Sequence, residues 1–519
     1  MSSAPAGAVQ APMQGAQLAL VAFALALGTF MQVLDSTIAN VSLPTIAGNL
    51  GASTNQGSWV VTSFAVANGV TVPLTGWLMG RFGVVRTFVA SVVLFTIASL
   101  LCGLAWSLES LVFFRVLQGA VSGPMIPGSQ GLLMAIFPPH RRSTAFGVWS
   151  MTTLIGPIIG PVLGGYISDN YHWSWIFLIN LPVGIFCALV CWRGLKTRES
   201  PTRKLPIDKF GIFLLFVWVG ALQIMLDKGK DADWFHSPLI VVLTIVAAVV
   251  FLVWLIWELT EKHPAVDLSL FFRSRNFTVG TLVFCLGYSV FFANVLLMPI
   301  WMQTELGYTA TWAGLNAAPS GVVALLLTPL AVWAAHRFDA RIVATIAFLA
   351  FVVSFYMRSL FTIDADFWTY AMPLAVQGIG MSGFFLGMLA VQLDRIAPED
   401  VPAATGISNF ARITAGGFAA SITMTLYDRR EALHQARLVD HSTAYSPNFQ
   451  QALESLQGQG VDQQQGMAMI MEQLTRQAYL LSATDLFWLS IGLALAMVGV
   501  IWLARRPAGD AKRPPVAGD

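Results

Sequence analysis

The chain has 519 residues, of which 56% are hydrophobic, 12% aromatic and only 11% charged, and its formal net charge is +2. Soluble domains carry about 25% charged residues, so this composition excludes a soluble fold. The small net charge and the lack of a basic run also give no indication of nucleic acid binding. We therefore interpret the chain as an integral membrane protein.

The cysteines and the N-terminal region fit this class. Cys102, Cys187, Cys191 and Cys285 all lie in apolar stretches, which predicts free side chains rather than a disulfide framework. The first apolar run follows sixteen uncharged residues and lacks the basic region of a cleaved signal peptide. We predict that this run is retained as the first membrane span.

A membrane helix needs about 20 apolar residues. Runs of this kind predict fourteen spans, at residues 17–39, 57–79, 87–106, 109–136, 143–168, 174–192, 210–226, 238–257, 277–302, 312–334, 342–361, 368–391, 404–426 and 481–503. An even number places both termini on one side. The segments on that side hold 20 Lys and Arg residues and the opposite segments hold 6, which predicts that both termini are cytoplasmic.

Two ionisable residues lie deep in the first half of the chain. Arg115 in the fourth span lies about seven residues, or roughly 10 Å of helix rise, from the outer end, and Asp35 in the first span lies at a similar distance from its outer end. Charged side chains at such depth are costly and usually functional. The alternatives are a structural hydrogen bond for Asp35 and a snorkelling side chain for Arg115. Their similar depth favours a pair facing each other within one helix bundle.

Two further arginines lie in spans of the second half. Arg412 lies about eight residues inside the thirteenth span, and both a cavity-lining role and snorkelling remain open for it. Arg358 lies near the outer end of the eleventh span, close to Asp364 and Asp366. This position predicts a snorkelling side chain.

The fifth span carries a periodic glycine pattern. Gly156, Gly160 and Gly164 repeat every four residues and therefore share one helix face, where small residues let a neighbouring helix approach closely. Pro157 and Pro161 favour a bend there. Tight packing and a pliable seam that limits leakage between the two halves are both compatible with this pattern.

The long outer segment 427–480 is rich in glutamine. Apolar residues recur at near-helical intervals, which favours two short amphipathic helices, and a solvated loop remains the alternative. The helices would cap the outer mouth or dock a periplasmic partner.

An internal repeat divides the chain. An offset of 256 residues aligns Pro73, Trp77 and Arg81 with Pro329, Trp333 and Arg337, and an offset of 259 aligns Gln118 with Gln377. Spans 1–6 thus correspond to spans 9–14, and spans 7–8 are an insertion. The predicted fold is all-α, with two six-helix bundles plus two inserted helices. The predicted domains are 1–192, a linker with the inserted spans at 193–276, 277–503 and a cytoplasmic tail at 504–519.

Three motifs resemble those of the fourteen-span drug:proton antiporters in the major facilitator superfamily. Residues 34–44 (LDSTIANVSLP) resemble the first-span motif, 115–119 (RVLQG) the fourth-span motif and 156–165 (GPIIGPVLGG) the antiporter motif. The resemblance covers nearly the whole chain. It extends to the inner-membrane subunits of tripartite multidrug efflux pumps.

This resemblance implies a function for each motif. Asp35 and Arg115 would couple transport to protons, and the glycines and prolines of 156–164 would form the antiporter seam. The gating loop after span 2 would use Gly76, Arg81, Gly83 and Arg86. In this loop the acid of the family pattern is replaced by Gly80, and two basic residues by Val84 and Val85. The departure removes one partner of the expected gating salt bridge.

The resemblance further implies a transporter of the bacterial inner membrane that exports lipophilic compounds against protons, without a cofactor, and that works with a periplasmic adaptor and an outer-membrane channel. A narrower exporter of fatty acids, siderophores or a metabolite is the first alternative. A membrane enzyme or a respiratory proton-pump subunit is the second, disfavoured because metal-spaced His and Cys clusters are lacking. Candidate cavity residues, for which core packing is the competing interpretation, are Asn40, Gln118, Tyr288, Phe292, Gln377, Phe384 and Arg412.

Overall fold

The computed structural model describes residues 13–52, 54–57, 59–138, 141–202, 206, 208–397, 400–442 and 446–506. The predicted tail lies outside these ranges from residue 507 onward. All regular structure within the described residues is helical, as expected where the bilayer offers no partner for backbone N–H and C=O groups.

The helices follow the apolar runs of the sequence. Those of the first half are α1 (Gly15–Val41), α2 (Leu43–Asn49), α3 (Thr54–Gly57), α4 (Trp59–Thr71), α5 (Thr75–Phe82), α6 (Val84–Gly103), α7 (Leu108–Ser122), α8 (Met125–Ile136), α9 (Arg142–Asn170), α10 (Trp175–Leu178) and α11 (Asn180–Leu195). The remaining ones are α12 (Lys209–Lys228), α13 (Pro238–Thr260), α14 (Leu270–Arg273), α15 (Arg275–Thr304), α16 (Ala310–Arg337), α17 (Ala340–Arg358), α18 (Phe367–Gln392), α19 (Val401–His441), α20 (Pro447–Gly458) and α21 (Gln463–Ile501).

Ten of the helices in the described residues are long and apolar enough to cross a membrane, and each coincides with one of the predicted spans. The other four predictions also fall on helices. Those at 143–168 and 404–426 lie within α9 and α19, and those at 57–79 and 109–136 are each divided between two shorter helices.

The two divided spans break where they touch each other. Pro73 separates α4 from α5, and Pro124 separates α7 from α8. Proline cannot donate a backbone hydrogen bond, so it ends the preceding helix. A Cβ atom at Gly123 would lie 2.6 Å from the carbonyl carbon of Thr71, which shows how closely the two breaks pack.

The two sets of six spans use the same helix pairings. In each set the fourth span packs on the second and third, the fifth on the first, and the sixth on the first and third. The contacts are α4–α7, α6–α7, α1–α9, α1–α11 and α6–α11 in the first set, and α16–α18, α17–α18, α15–α19, α15–α21 and α17–α21 in the second. This equivalence is the structural counterpart of the sequence repeat.

The two helices between these sets pack against each other, and α12 also contacts both sets. Thr62 of α4 donates a hydrogen bond to Asp227 at the end of α12. Ser421 of α19 donates one to the carbonyl of Leu226, at 2.7 Å. The inserted pair thus lies beside the junction between the two sets.

The outer segment is helical but is arranged differently from the two short helices that the sequence favoured. α19 continues to His441, and α21 begins at Gln463, so only α20 is a separate helix. The solvated-loop alternative is wrong, because spans 13 and 14 extend into the segment. Asp485 of α21 fixes the extensions through Arg430 at 2.9 Å and His434 at 2.8 Å.

Candidate proton-coupling site

Asp35 of α1 and Arg115 of α7 form an ion pair in the interior of the first set of helices. Nη1 of Arg115 lies 2.5 Å from Oδ2 of Asp35, and neither side chain is exposed to solvent. The sequence placed the two residues at similar depth, and the structure brings them together. Snorkelling of Arg115 is therefore wrong.

Three polar side chains complete the pair. Gln118 and Asn180 donate amide hydrogen bonds to Oδ1 of Asp35, at 3.0 and 2.9 Å. Ser99 accepts from the same two amides, at 3.3 and 2.9 Å. The carboxylate therefore has hydrogen-bond donors on both oxygens, which compensates for the loss of water around a buried charge.

Arg115 has partners besides Asp35. Its Nε donates to the carbonyl of Val60 at 3.0 Å, and its Nη1 also donates to Oε1 of Gln118 at 2.7 Å. The Cζ atom lies 4.2 Å from the ring centroid of Phe64, a cation–π distance. Arg115 is thus held in place by groups that stay neutral when Asp35 takes up a proton.

Sequence analysis missed Ser99 and Asn180. Both are uncharged and lie in apolar spans, where hydroxyls and amides are more common than ionised groups. Gln118 was expected at a cavity and instead belongs to the charged cluster. Asn40, the other candidate of the first motif, is exposed in the last turn of α1.

The glycine face of α9 packs on the helix that carries Asp35. A Cβ atom at Gly156 would lie 2.6 Å from the Val33 side chain, and one at Gly160 would collide with Thr37. Gly164 lies against Ile38, where a Cβ would be 3.3 Å from the carbonyl oxygen. This close contact is between α9 and α1, so the glycine face itself is not the seam between the halves. α9 continues as a helix through Pro157 and Pro161. The side chains of these two prolines are not among those that the structure describes.

Other residues of α9 contact the second set of helices. A Cβ atom at Gly147 would lie 2.6 Å from Val332 of α16, and one at Gly314 of α16 would lie 3.3 Å from Val162. α9 therefore touches the helix of Asp35 and a helix of the other set.

The gating loop contacts both the other half and the linker. A Cβ atom at Gly76 would lie 2.7 Å from that of Ala403 on α19. Gly83 has a φ of 94° and precedes α6, whose amides Val85 N–H and Arg86 N–H each donate to Glu199 at 2.9 Å. The linker thus supplies a carboxylate to this loop, which the sequence pattern did not reveal.

Arg81 and Arg86 lie on either side of this loop. The Cζ atom of Arg81 lies 5.6 Å from the ring centroid of Trp77. Nε of Arg86 lies 3.9 Å from Oε2 of Glu199, and the Arg86 side chain is largely exposed.

Arg412 lies where the two sets of helices meet. It donates to Asn409 Oδ1 at 3.2 Å, and Asn409 donates to Gln130 of α8 at 2.8 Å. Its Cζ atom lies 4.5 Å from the ring centroid of Tyr288, which stacks on Phe292. Because Arg412 is buried, snorkelling is wrong for it. Phe384, by contrast, is completely buried among other aromatic rings, as in a packed core.

Arg358 contradicts its predicted snorkelling. Although it is the last residue of α17, its side chain is completely buried and donates through Nη2 to Oε1 of Gln377 on α18. The distance to a helix end does not reveal which face a side chain occupies, and this face packs against α18.

Comparison with known proteins shows to which family the chain belongs. The model of the Major Facilitator Superfamily matches residues 25–326 and 277–430. The chain belongs to the major facilitator superfamily. This transporter is 48% identical over 501 residues to the multidrug export protein EmrB of Escherichia coli (strain K12), covering 96% of the chain and 98% of EmrB. It is 46% identical over 496 residues to the fatty acid resistance protein FarB of Neisseria gonorrhoeae, with the same coverage of 96% and 98%.

Solved structures agree on the fold of this transporter. The proton:xylose symporter XylE superposes with a TM-score of 0.56 at 15% identity, covering 90% of this chain and 94% of XylE. The human organic anion transporter TETRAN gives a TM-score of 0.58 at 13% identity, covering 94% of this chain and 100% of TETRAN.

Proposed function

We propose that this transporter exports amphipathic, lipophilic compounds across the bacterial inner membrane in exchange for protons. The observation that carries the proposal is the solvent-excluded Asp35–Arg115 pair. When Asp35 takes up a proton, it loses the negative charge that pairs with Arg115. The hydrogen bonds of Arg115 to Gln118 and to the Val60 carbonyl remain. The cluster therefore has two charge states with different pairing, as a proton carrier requires.

The packing of α9 supports coupling between this cluster and the two halves. α9 lies against α1 on its glycine face and against α16 through Gly147 and Val162. If α1 changes position when Asp35 is protonated, α9 transmits the change to the junction between the halves, because α9 contacts both α1 and α16. Rocking of the halves about a central cavity then gives alternating access.

The proposed membrane arrangement has fourteen spans, with halves at 1–192 and 277–503, two inserted spans at 193–276, and both termini in the cytoplasm. It is supported by the repeated helix pairings, by the helices found at every predicted span and by the excess of Lys and Arg on the side of the termini.

We further propose that the outer segment 427–480 contacts a periplasmic adaptor, which joins the transporter to an outer-membrane channel. The support is the resemblance to subunits of tripartite pumps and the length of the helical extensions. α19 and α21 continue outward together, with Ser482 Oγ donating to the Tyr427 carbonyl at 2.6 Å. A fixed helical projection suits docking better than a mobile loop.

A narrower second function is favoured by one observation. The similarity to the fatty acid resistance protein of Neisseria gonorrhoeae, at 46% identity, is almost as high as that to the multidrug export protein. Export of fatty acids alone would leave the proton site and the fold unchanged.

Transport in liposomes tests the function. The purified protein is reconstituted, a pH gradient is imposed, and movement of the lipophilic cation ethidium and of decanoate is followed. We expect the gradient to drive both compounds and each compound to dissipate the gradient. Movement of decanoate alone would favour the narrower function. Equal rates with and without the gradient would contradict proton exchange.

A further inference from the structure

The second set of helices contains an altered copy of the Asp35 cluster. At the offset of 259 residues, Asp35 and Gln118 correspond to Asn294 and Gln377, and at the offset of 256 residues, which aligns the start of α6 with that of α17, Cys102 corresponds to Arg358. Arg358 donates to Oε1 of Gln377, as the Cys102 thiol donates to Oε1 of Gln118 at 3.6 Å. The copy thus has an amide in place of the acid, and a cation in place of a thiol.

This substitution leaves a buried cation without an acid. The Arg358 side chain is completely buried, and its Nε and Nη1 atoms have no hydrogen-bond partner in the described part of the chain. The Cζ atom lies 5.5 Å from the ring centroid of Phe355. An unpaired charge in such surroundings is costly, and removing it from water is compensated only by a counter-charge or strong hydrogen bonds.

Gln377 also forms part of the wall of a small cavity. The volume of this cavity is about 40 Å³. Its polar wall is formed by Asn294, Asn316, Ser320 and Gln377. Because Oε1 of Gln377 accepts from Arg358, the amide N–H groups of Gln377 are the donors left for the cavity. Nδ2 of Asn316 is a buried donor, and Oδ1 of Asn294 a buried acceptor, each without a partner among the described residues.

The rest of the cavity is apolar. Its wall includes Phe291, Val295, Met298, Leu374 and Met381. Drug-sized pockets have volumes of about 300–1,000 Å³, so this space fits only one end of such a molecule. Amide donors backed by a cation suit a negatively charged end, and the apolar wall suits the adjoining carbons.

We propose that this cavity is an acid-group subsite of the transporter, which takes the carboxylate of an amphipathic organic acid. The carboxylate accepts from Gln377 and Asn316 and supplies the negative charge that Arg358 lacks. Asn294 Oδ1 accepts from a hydroxyl or N–H group next to the acid. This inference rests on the proposed export function, but binding at the subsite is measurable without transport.

Binding of matched ten-carbon probes tests the subsite. Affinities of decanoate and the uncharged 1-decanol are measured for the purified transporter in lipid nanodiscs, in chloride and in gluconate buffer. We expect decanoate to bind at least tenfold more tightly than decanol, and Arg358→Gln to abolish that difference. Arg273→Gln, the same charge change at an exposed arginine, should retain it. Equal affinities in the parent, or an unchanged preference in Arg358→Gln, would overturn the proposal.

Two further measurements separate the remaining explanations. If chloride stabilises the parent against heat while decanoate does not, the cation binds an inorganic anion and the substrate subsite is wrong. Should Arg358→Gln not fold, Asn316→Leu, which fills the polar wall and leaves Arg358 intact, must lose the decanoate preference. Ethidium transport by these variants should persist, so loss of decanoate binding is distinguishable from failure of proton-driven export.

Discussion

Oδ1 of Asp35 accepts a hydrogen bond from Asn180 at 2.9 Å, although the two residues are 145 positions apart in the chain. This bond joins the first and sixth spans of one half, while Arg115 holds the other carboxylate oxygen from the fourth span. A change in the charge of Asp35 therefore acts on three spans at once. The charge of Asp35 is in this way linked to the packing of the first, fourth and sixth spans.

Packing of α9 on α1 predicts different effects for two glycines on the same helix. A Cβ atom at Gly160 would collide with Thr37, whereas one at Gly165 would meet nothing within 4 Å. We expect Gly160→Ala to lower the free energy of unfolding by about 1–3 kcal/mol and to reduce coupled transport. Gly165→Ala should be neutral or slightly stabilising. Thermal unfolding and liposome transport of both variants check this, and equal behaviour of the two would contradict the assigned packing.

The linker carboxylate of Glu199 predicts a role at the gating loop. It accepts from two backbone amides at the start of α6, as a helix cap does. Glu199→Gln keeps one acceptor but loses the charge near the helix N-terminus, so we expect a loss of about 0.5–2 kcal/mol in stability. Glu472→Gln, at an exposed ion pair, is the control. An unfolding temperature of Glu199→Gln equal to that of the parent would show that the contact contributes nothing.

The loop before α17 predicts a pH dependence of stability. Burial raises the pKa of Asp339, but hydrogen bonds from Arg341 and the charges of Arg341 and Arg506 outweigh it, so the pKa lies below its usual value of 3.8. A lowered pKa in the folded protein stabilises it above the unfolded-state pKa, and this contribution disappears as the pH falls through the folded-state pKa.

Asp339→Asn should therefore unfold at a lower temperature than the parent at pH 7, and the difference should shrink as the pH falls below 3.8. Melting curves in nanodiscs across this range provide the measurement. A difference that persists undiminished at pH 3 would assign it to lost packing rather than to charge.

The outer segment 427–480 predicts different results in cells and in liposomes. Replacing residues 446–462, which contain α20, with a Gly/Ser linker leaves Asp35 and the helix junction intact. We expect drug resistance of cells to fall while transport in liposomes persists, because we propose that the segment docks a periplasmic partner. Loss of liposome transport in the folded variant would instead assign the segment a lid function, and unchanged resistance would mark it as dispensable.

Much of this architecture could be predicted from the sequence, because apolar runs and buried charges leave few arrangements in a membrane. The pairing of Asp35 with Arg115 was suggested by their similar depth. Asn180 and Ser99 could not be identified, since an uncharged polar residue in a span commonly bonds to its own helix. Arg358 was wrongly assigned to the membrane interface, because the depth of a residue along a helix does not reveal which side of the helix its side chain occupies. The breaks between α4 and α5 and between α7 and α8 lie at Pro73 and Pro124, but their packing against each other at Gly123 is a tertiary contact that the sequence does not reveal.

The most direct test of the account is proton release on substrate binding. Ethidium is added to the purified protein in weakly buffered solution, and the released protons are counted at a series of pH values. We predict that the parent releases up to about one proton per transporter, since substrate binding and protonation of Asp35 compete. Asp35→Asn should bind ethidium and release none. Equal proton release by Asp35→Asn and the parent would contradict the assignment of Asp35 as the proton carrier.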